Sequence, residues 1–113
     1  MAPLVSHCKE LGLLEAVAFN QVECFEAGVL FARNEGIVPA PESNHAVRAA
    51  IVEALRCKRE GKAENILFCL SGHGHFDMAS YQKFFAGELS DESYDDKELA
   101  MALAGLPSVA ESA

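Results

Sequence analysis

The sequence predicts an α/β fold in which helices pack against a few parallel strands, and three observations support this class. A wholly apolar run from Ile66 to Leu70 shows no alternation, which is typical of a strand covered on both faces. Two segments, 21–34 and 45–60, repeat apolar residues at spacings of three and four, which indicates helices with one buried face. A glycine- and histidine-rich loop, 71–75, follows the apolar run at the strand end where such sheets bind ligands.

Two helices are expected in the first third of the chain. The first covers Leu4 to Leu11 and leads to a short extended run from Ala16 to Phe19, which is a second and weaker strand candidate. Asn20 is a candidate N-cap for the helix at 21–34, because its side chain can accept a bond from a free backbone N–H group. Gly36 is expected to end that helix.

A connector with two prolines, 37–41, separates this helix from the next one. Each proline disfavours helix in the residue before it, so the connector is predicted to be extended and rigid. The polar residues 42–44 then offer capping groups to a long helix from about His45 to Glu60. Gly61 is predicted to end the long helix.

The remaining elements are short. A helix from Met78 to Phe85 is expected after the glycine-histidine loop, and a second one around Asp96 to Ala104. We divide the chain into a main segment, 1–89, and an acidic tail, 90–113, that is partly disordered or short-helical. One strand and one weak candidate do not form an independent sheet, so we expect something outside this chain to complete the fold.

Composition limits the classes of function. The chain has 113 residues, enough for one domain, and half of them are hydrophobic. Nine Lys and Arg residues against seventeen Asp and Glu give a net charge of −8, which argues against a nucleic-acid partner. The four cysteines form no CxxC pair, and no apolar run approaches the roughly 18 residues of a membrane span. The sequence therefore predicts a reduced cytoplasmic protein that binds neither nucleic acid nor membrane.

Four potential metal ligands lie in and beside the loop: Cys69, His73, His75 and Asp77. All are competent zinc ligands, but they follow no recognised zinc spacing. The favoured interpretation is that the histidines shape a turn or line a pocket, and a small metal-binding protein is the weaker hypothesis. No metal ligand is assigned.

Reaction machinery is not evident from the residue types alone. Cys69 lies within the apolar run and is expected to pack as an inert hydrophobic residue, and the same is predicted for Cys8, Cys24 and Cys57. Glu42 is expected to cap a helix, His45 to make a local hydrogen bond, and Glu35 is left open between a capping role and a site role. No glycine-rich phosphate loop opens a helix. No catalytic residue is assigned.

Two segments resemble the C-terminal part of the tryptophan synthase beta chain family, most closely its beta-2-like type. They are FARNEGIVPAPESNHA at 31–46 and LSGHGHFD at 70–77. The resemblance begins with MAPLVSH at 1–7, passes through CFEA at 24–27 and continues to about residue 89. It therefore covers most of the chain.

The resemblance implies a partial three-layer domain of fold type II and a dependence on pyridoxal 5'-phosphate. The family uses this cofactor as an electron sink to replace the hydroxyl of L-serine with indole, giving L-tryptophan. The family serine that hydrogen-bonds the pyridine nitrogen matches Ser71, and the glycine that lets the backbone pass the ring edge matches Gly72. The glutamate close to the ring matches Glu35. A neutral hydroxyl at the nitrogen favours elimination chemistry over transamination.

The resemblance also implies that this chain is incomplete as an enzyme. The cofactor-binding lysine, the catalytic glutamate and the glycine-serine-asparagine phosphate loop lie in the N-terminal part of the family, upstream of the matching region. We therefore expect a C-terminal segment from an internal start, a split or decayed gene, or an incomplete gene model. It would be inactive alone, with the N-terminal half as its partner. The alternative is a non-catalytic interaction module that self-associates.

Overall fold

The computed structural model describes residues 2–91 and 96–104, and most of these residues are helical. Its α-helices are α1 (Pro3–Glu10), α2 (Gln21–Glu35), α3 (Pro41–Glu60), α4 (Met78–Phe85) and α5 (Asp96–Ala104). A short 3-10 helix, Gly74–Phe76, precedes α4. The main helix pair is α2 and α3, and α4 packs on α2. All five predicted helices are confirmed, three of them with shifted ends.

The ends of α2 follow the predicted signals. The carboxylate of Glu23 accepts a hydrogen bond from the backbone N–H of Asn20 at 2.9 Å, which satisfies a donor at the helix start. Gly36 ends the helix with φ 72°, a left-handed conformation that a side chain disfavours. The backbone N–H of Val22 donates to a carboxylate oxygen of Asp91 at 2.9 Å, so the chain returns to the start of α2.

The start of α3 corrects the sequence prediction. The helix begins at Pro41, four residues before the predicted start at His45, and Ala40 is its N-cap. Proline fits the first helical position because its missing N–H would have no partner there. Residues 42–44 therefore lie inside the helix and are not its caps. Gly61 ends α3, as predicted.

The predicted strand does not form in the described part of the chain. Residues 62–72 are non-helical and belong to no β-ladder, and the weaker candidate at 16–19 is also unpaired. Leu67 is 96% exposed, so the predicted burial on both faces is wrong for this chain by itself. A strand needs a neighbouring strand for its backbone hydrogen bonds, and among the described residues the one β-bridge joins only Pro39 and His73. The α/β class is therefore not confirmed by these mostly helical residues.

The core lies where α2, α3 and α4 meet. Phe25 of α2 packs against two rings of α4, with ring centroids 5.0 Å from Tyr81 and 5.7 Å from Phe84. Val47 of α3 is 2% exposed and also belongs to the buried core. Arg48 pairs with Glu23 at 2.8 Å and links α3 to α2 at the surface. Within the described ranges, no helix is both long and apolar enough to cross a bilayer.

Candidate functional site

The glycine-histidine loop is joined to the proline connector by backbone hydrogen bonds. The N–H of Ala40 donates to the carbonyl of Gly72 at 3.0 Å, and the N–H of Gly74 donates to the carbonyl of Val38 at 2.7 Å. Pro39 and His73 form an antiparallel bridge between these two bonds. The structure thus brings together two sequence motifs that lie more than 30 residues apart in the chain.

This pairing depends on close backbone approach. A Cβ atom built on Gly74 would lie 2.5 Å from the carbonyl oxygen of Pro39 and 2.9 Å from a methyl carbon of Val38. A Cβ atom on Gly72 would lie 3.0 Å from the Cβ of Ala40. A side chain at Gly74 would therefore force the loop away from the connector, whereas one at Gly72 would make a tight contact with Ala40.

A buried polar network joins the connector to α3 and α4. Asn44 is fully buried, and its amide nitrogen lies 3.1 Å from the hydroxyl oxygen of Tyr81. That hydroxyl donates to the carbonyl of Pro39 at 2.6 Å. Burial raises the pKa of the Tyr81 phenol, against a smaller lowering by the Asn44 hydrogen bond, so the hydroxyl stays a donor. The network holds α3, α4 and the connector in one arrangement.

The two polar residues predicted for the site flank the paired segments and face solvent. Ser71 immediately precedes Gly72 and is exposed. Glu35 is the last residue of α2, just before the connector, and is also exposed. It borders an apolar groove of about 330 Å³ between α2 and α3, where Ile66 and Phe68 form the rim. Both side chains are open to a ligand.

Ser43 lies beside the same loop and inside α3, so its predicted role as a helix cap is wrong. It is 3% exposed, and among the described residues its hydroxyl has no hydrogen-bond partner. Its Oγ lies 3.7 Å from a Cβ atom built on Gly72. The sequence contains a signal for this burial. Ser43 and Asn44 precede the buried Val47 by four and three residues, so all three residues lie on the inner face of α3.

A cavity larger than the apolar groove lies between the starts of α2 and α3 and measures about 520 Å³. Cys24 and His45 border it, with 3.4 Å between the sulfur and Nδ1. Burial, and then the negative charge of Glu23, raise the pKa of the Cys24 thiol. A protonated buried thiol is a poor nucleophile, so Cys24 fits the predicted inert cysteine. The contact of His45 joins α3 to α2 across 21 residues of sequence, so it is not the local hydrogen bond that was predicted.

The residues of the metal hypothesis do not converge. In residues 2–91 and 96–104, no three side chains of the metal-binding types are grouped to hold an ion. The rings of His73 and His75 lie 4.8 Å apart edge to face, and the N–H of His75 donates to Nδ1 of His73 at 3.3 Å. The histidines shape the turn, as the favoured interpretation predicted. Cys69 is exposed, so its predicted packing in a core is wrong here.

Comparison with known proteins identifies the family. No family model matches the chain. It is 60% identical over 90 residues to the tryptophan synthase beta chain 2 of Aquifex aeolicus, covering 80% of this chain and 21% of that relative. The same protein of Methanosarcina mazei is 61% identical over 88 residues, covering 78% and 20%. The tryptophan synthase beta chain of Pyrococcus horikoshii is 48% identical over 107 residues, covering 95% and 23%.

The chain spans about a fifth of the length of the curated relatives that it matches. The matches include both the proline connector and the glycine-histidine loop, since they cover at least 88 of the 113 residues at 48 to 61% identity. The chain therefore belongs to the tryptophan synthase beta chain family and represents the C-terminal part of that family's sequence.

Proposed function

We propose that this chain supplies the pyridine-nitrogen side of the pyridoxal 5'-phosphate site in a tryptophan synthase of the beta type. The complete enzyme would join L-serine and indole to give L-tryptophan. The observation that carries the proposal is the pairing of the loop at 72–74 with the connector at 38–40, which fixes the backbone next to the open hydroxyl of Ser71. The role of each residue comes from its match to the family motif.

The side chains fit a flat heteroaromatic ring. Ser71 offers a neutral hydroxyl that donates to a ring nitrogen, and no hydrogen bond within the described residues occupies it. Gly72 has no side chain to obstruct the ring edge, and Glu35 is exposed at the mouth of the neighbouring groove. When bound, the cofactor supplies the electron sink for replacing the serine hydroxyl. Ser71 would orient the ring and leave its nitrogen without a full positive charge.

The rest of a beta chain would complete both the site and the sheet. The lysine and the phosphate loop of the family belong to that other part, so the 113 residues are proposed to be inactive alone. The apolar segment 66–70 would then become the covered strand of an α/β fold-type II domain. Within the described residues this segment belongs to no β-ladder, and Leu67 is 96% exposed, as expected of a strand whose neighbours are supplied by another part of the enzyme.

A complementation experiment tests this proposal. The chain is mixed with the rest of the Aquifex aeolicus relative, expressed separately, and titrated with pyridoxal 5'-phosphate under absorbance and fluorescence detection. Wild-type chain should create a cofactor signal that neither part gives alone. Ser71→Ala should weaken it, while the matched variant Ser90→Ala should leave it unchanged. Tryptophan formation from L-serine and indole is measured in the same mixtures.

Two results would contradict the proposal. One is a mixture in which the two parts associate, as judged by sedimentation, but bind no cofactor. The other is a cofactor signal that Ser71→Ala leaves unchanged, because the hydroxyl would then have no part in holding the ring.

A second candidate function rests on the uncovered apolar surface. Leu67 is 96% exposed, and the groove beside Ile66 and Phe68 is mainly apolar. Such a surface promotes association of like chains, so a non-catalytic module that self-associates is the alternative. Sedimentation of the chain alone decides this candidate. A concentration-independent monomer would exclude it, and an oligomer dispersed by Leu67→Lys would support it.

A further inference from the structure

The hydroxyl of Ser43 is a buried polar group without a partner in the described residues. Serine inside a helix commonly bonds to the carbonyl four residues earlier, which here belongs to Pro39. That carbonyl instead receives the hydroxyl of Tyr81 at 2.6 Å. Burying a hydroxyl without a hydrogen bond is unfavourable, so each such group in a native protein calls for an explanation.

The position of Ser43 points to the neighbouring loop. Its Oγ lies 3.7 Å from a Cβ atom built on Gly72, and Gly72 in turn accepts the backbone bond of Ala40, the N-cap of α3. The hydroxyl is therefore buried next to Gly72, whereas the preceding residue, Ser71, is exposed. A ligand that displaces this segment would therefore change its distance from Ser43.

We propose that Ser43 is a positioning residue of the cofactor site, and that its hydroxyl gains a hydrogen bond to the Ser71–Gly72 segment when the site is filled. This inference rests on the function proposed above. The hydroxyl would hold the backbone of Gly72 so that Ser71 points at the ring nitrogen. The isolated chain carries the unsatisfied group, and the assembled enzyme uses it.

This role predicts effects of opposite sign in two states of the protein. In the chain alone, Ser43→Ala removes a buried group that lacks a partner, so the variant should be more stable. In the assembled enzyme, the same substitution removes a hydrogen bond and should weaken cofactor binding. If Ser43 served only for packing, its substitution would change the stability of the chain and the cofactor affinity of the enzyme in the same direction, or would change neither.

The first measurement is thermal unfolding of the 113-residue chain. Ser43→Ala should raise the melting temperature by about 4 °C or more. The matched control is Ser80→Ala, because Ser80 is also the third residue of its helix and is half-buried. It corrects for the better helix propensity of alanine. A rise no larger than that of Ser80→Ala would overturn the inference, since the hydroxyl would then already be satisfied.

The second measurement is cofactor affinity in the mixture with the rest of the Aquifex aeolicus relative, by absorbance titration with pyridoxal 5'-phosphate. Ser43→Ala should weaken binding by about tenfold, which corresponds to one hydrogen bond. Ser80→Ala should stay close to wild type. If wild type binds the cofactor and Ser43→Ala binds it equally well, only this inference fails. If wild type itself binds none, the proposed function fails with it.

Discussion

The hydroxyl of Tyr81 donates to the carbonyl of Pro39 across 42 residues of sequence, at 2.6 Å and out of contact with solvent. The same oxygen lies 3.1 Å from the amide nitrogen of Asn44. Tyr81 belongs to α4, Asn44 to α3 and Pro39 to the connector, so these hydrogen bonds fix the position of the connector. The connector in turn carries the backbone bonds to the glycine-histidine loop.

Tyr81→Phe is expected to destabilise the chain by about 1–3 kcal/mol, because it leaves the Pro39 carbonyl and the Asn44 amide buried without their partner. The ring and its contact with Phe25 would remain. Urea unfolding followed by circular dichroism measures the change. Combining the substitution with Asn44→Ala should give less than the sum of the single effects, since the two residues share the network. Additive effects would show that they act separately.

Gly28→Ala should also destabilise the chain, although alanine normally improves a helix interior by roughly 0.5–1 kcal/mol. The reason is that a Cβ atom on Gly28 would overlap the side-chain amide of Asn44. Pairing it with Asn44→Ala removes the obstacle, so the double variant should lose less stability than the single effects predict. The same urea experiment applies. A stabilising single substitution would contradict this packing.

Glu23→Ala is predicted to cost about 1 kcal/mol, because the carboxylate serves both the start of α2 and the ion pair to Arg48. The pair is about one-third exposed, so the ionic part should shrink at high salt. Glu53→Ala removes only a surface partner of Arg56 and serves as the control, with an expected loss below about 0.5 kcal/mol. Thermal unfolding at low and high salt checks both values. Equal losses for the two variants would rule out the double role of Glu23.

Stability should decline as the pH rises above about 9. Burial is the main cause that raises the pKa of Cys24 above its ordinary 9.0, and likewise that of Tyr81 above its ordinary 10.0. The folded state therefore binds these protons more tightly than the unfolded state does. The resulting stabilisation is complete below the unfolded-state pKa and is lost as the pH rises through the folded-state pKa.

Urea unfolding between pH 7 and 10.5 measures this decline, and Cys24→Ala should make its first part shallower. The difference between variant and wild type at pH 7 serves as the reference, since it contains only the packing effect of the substitution. An unchanged slope would mean that ionisation of this thiol does not oppose folding.

The rate at which Cys69 is chemically labelled should show whether the segment 66–70 is covered in a completed sheet. Cys69 is exposed in the chain alone, whereas Cys24 and Cys57 are buried, so iodoacetamide should label it first. Adding the rest of the Aquifex aeolicus relative should slow this labelling by about tenfold or more if the segment 66–70 becomes a covered strand. Mass spectrometry of the peptides gives the rates. Labelling at an unchanged rate in a demonstrated complex would contradict the proposed place of this segment.

The helices were predictable because their signals are local. Asn20 marks the start of α2 because of its side chain, and Gly36 marks the end because it has none. The spacing of apolar residues identifies the face of α3 that packs on α2. The start of α3 was misplaced because Pro41 was interpreted as part of an extended connector. It occupies the first helical position instead, where proline is favourable.

The strand prediction failed for a different physical reason. The sequence of residues 66–70 contains a preference for burial on two faces, but it contains neither the neighbouring strands nor the covering surface. The described residues provide none of these, so Leu67 remains exposed. A hydrophobic pattern indicates that a segment is stable when it is buried, whereas the neighbouring strands and helices determine whether it is buried.

The family, most helix ends and the two motif segments that carry Ser71 and Glu35 could be predicted from the amino-acid sequence, because each of these depends on residues close together in the chain. The folded chain was needed to show that Gly72 and Gly74 pair with the connector, and that Tyr81, next to Asn44, hydrogen-bonds to it. It also left the hydroxyl of Ser43 buried beside Gly72. These contacts join residues about 30 to 40 positions apart, and their partners are selected by the packing of α2, α3 and α4 rather than by any local pattern.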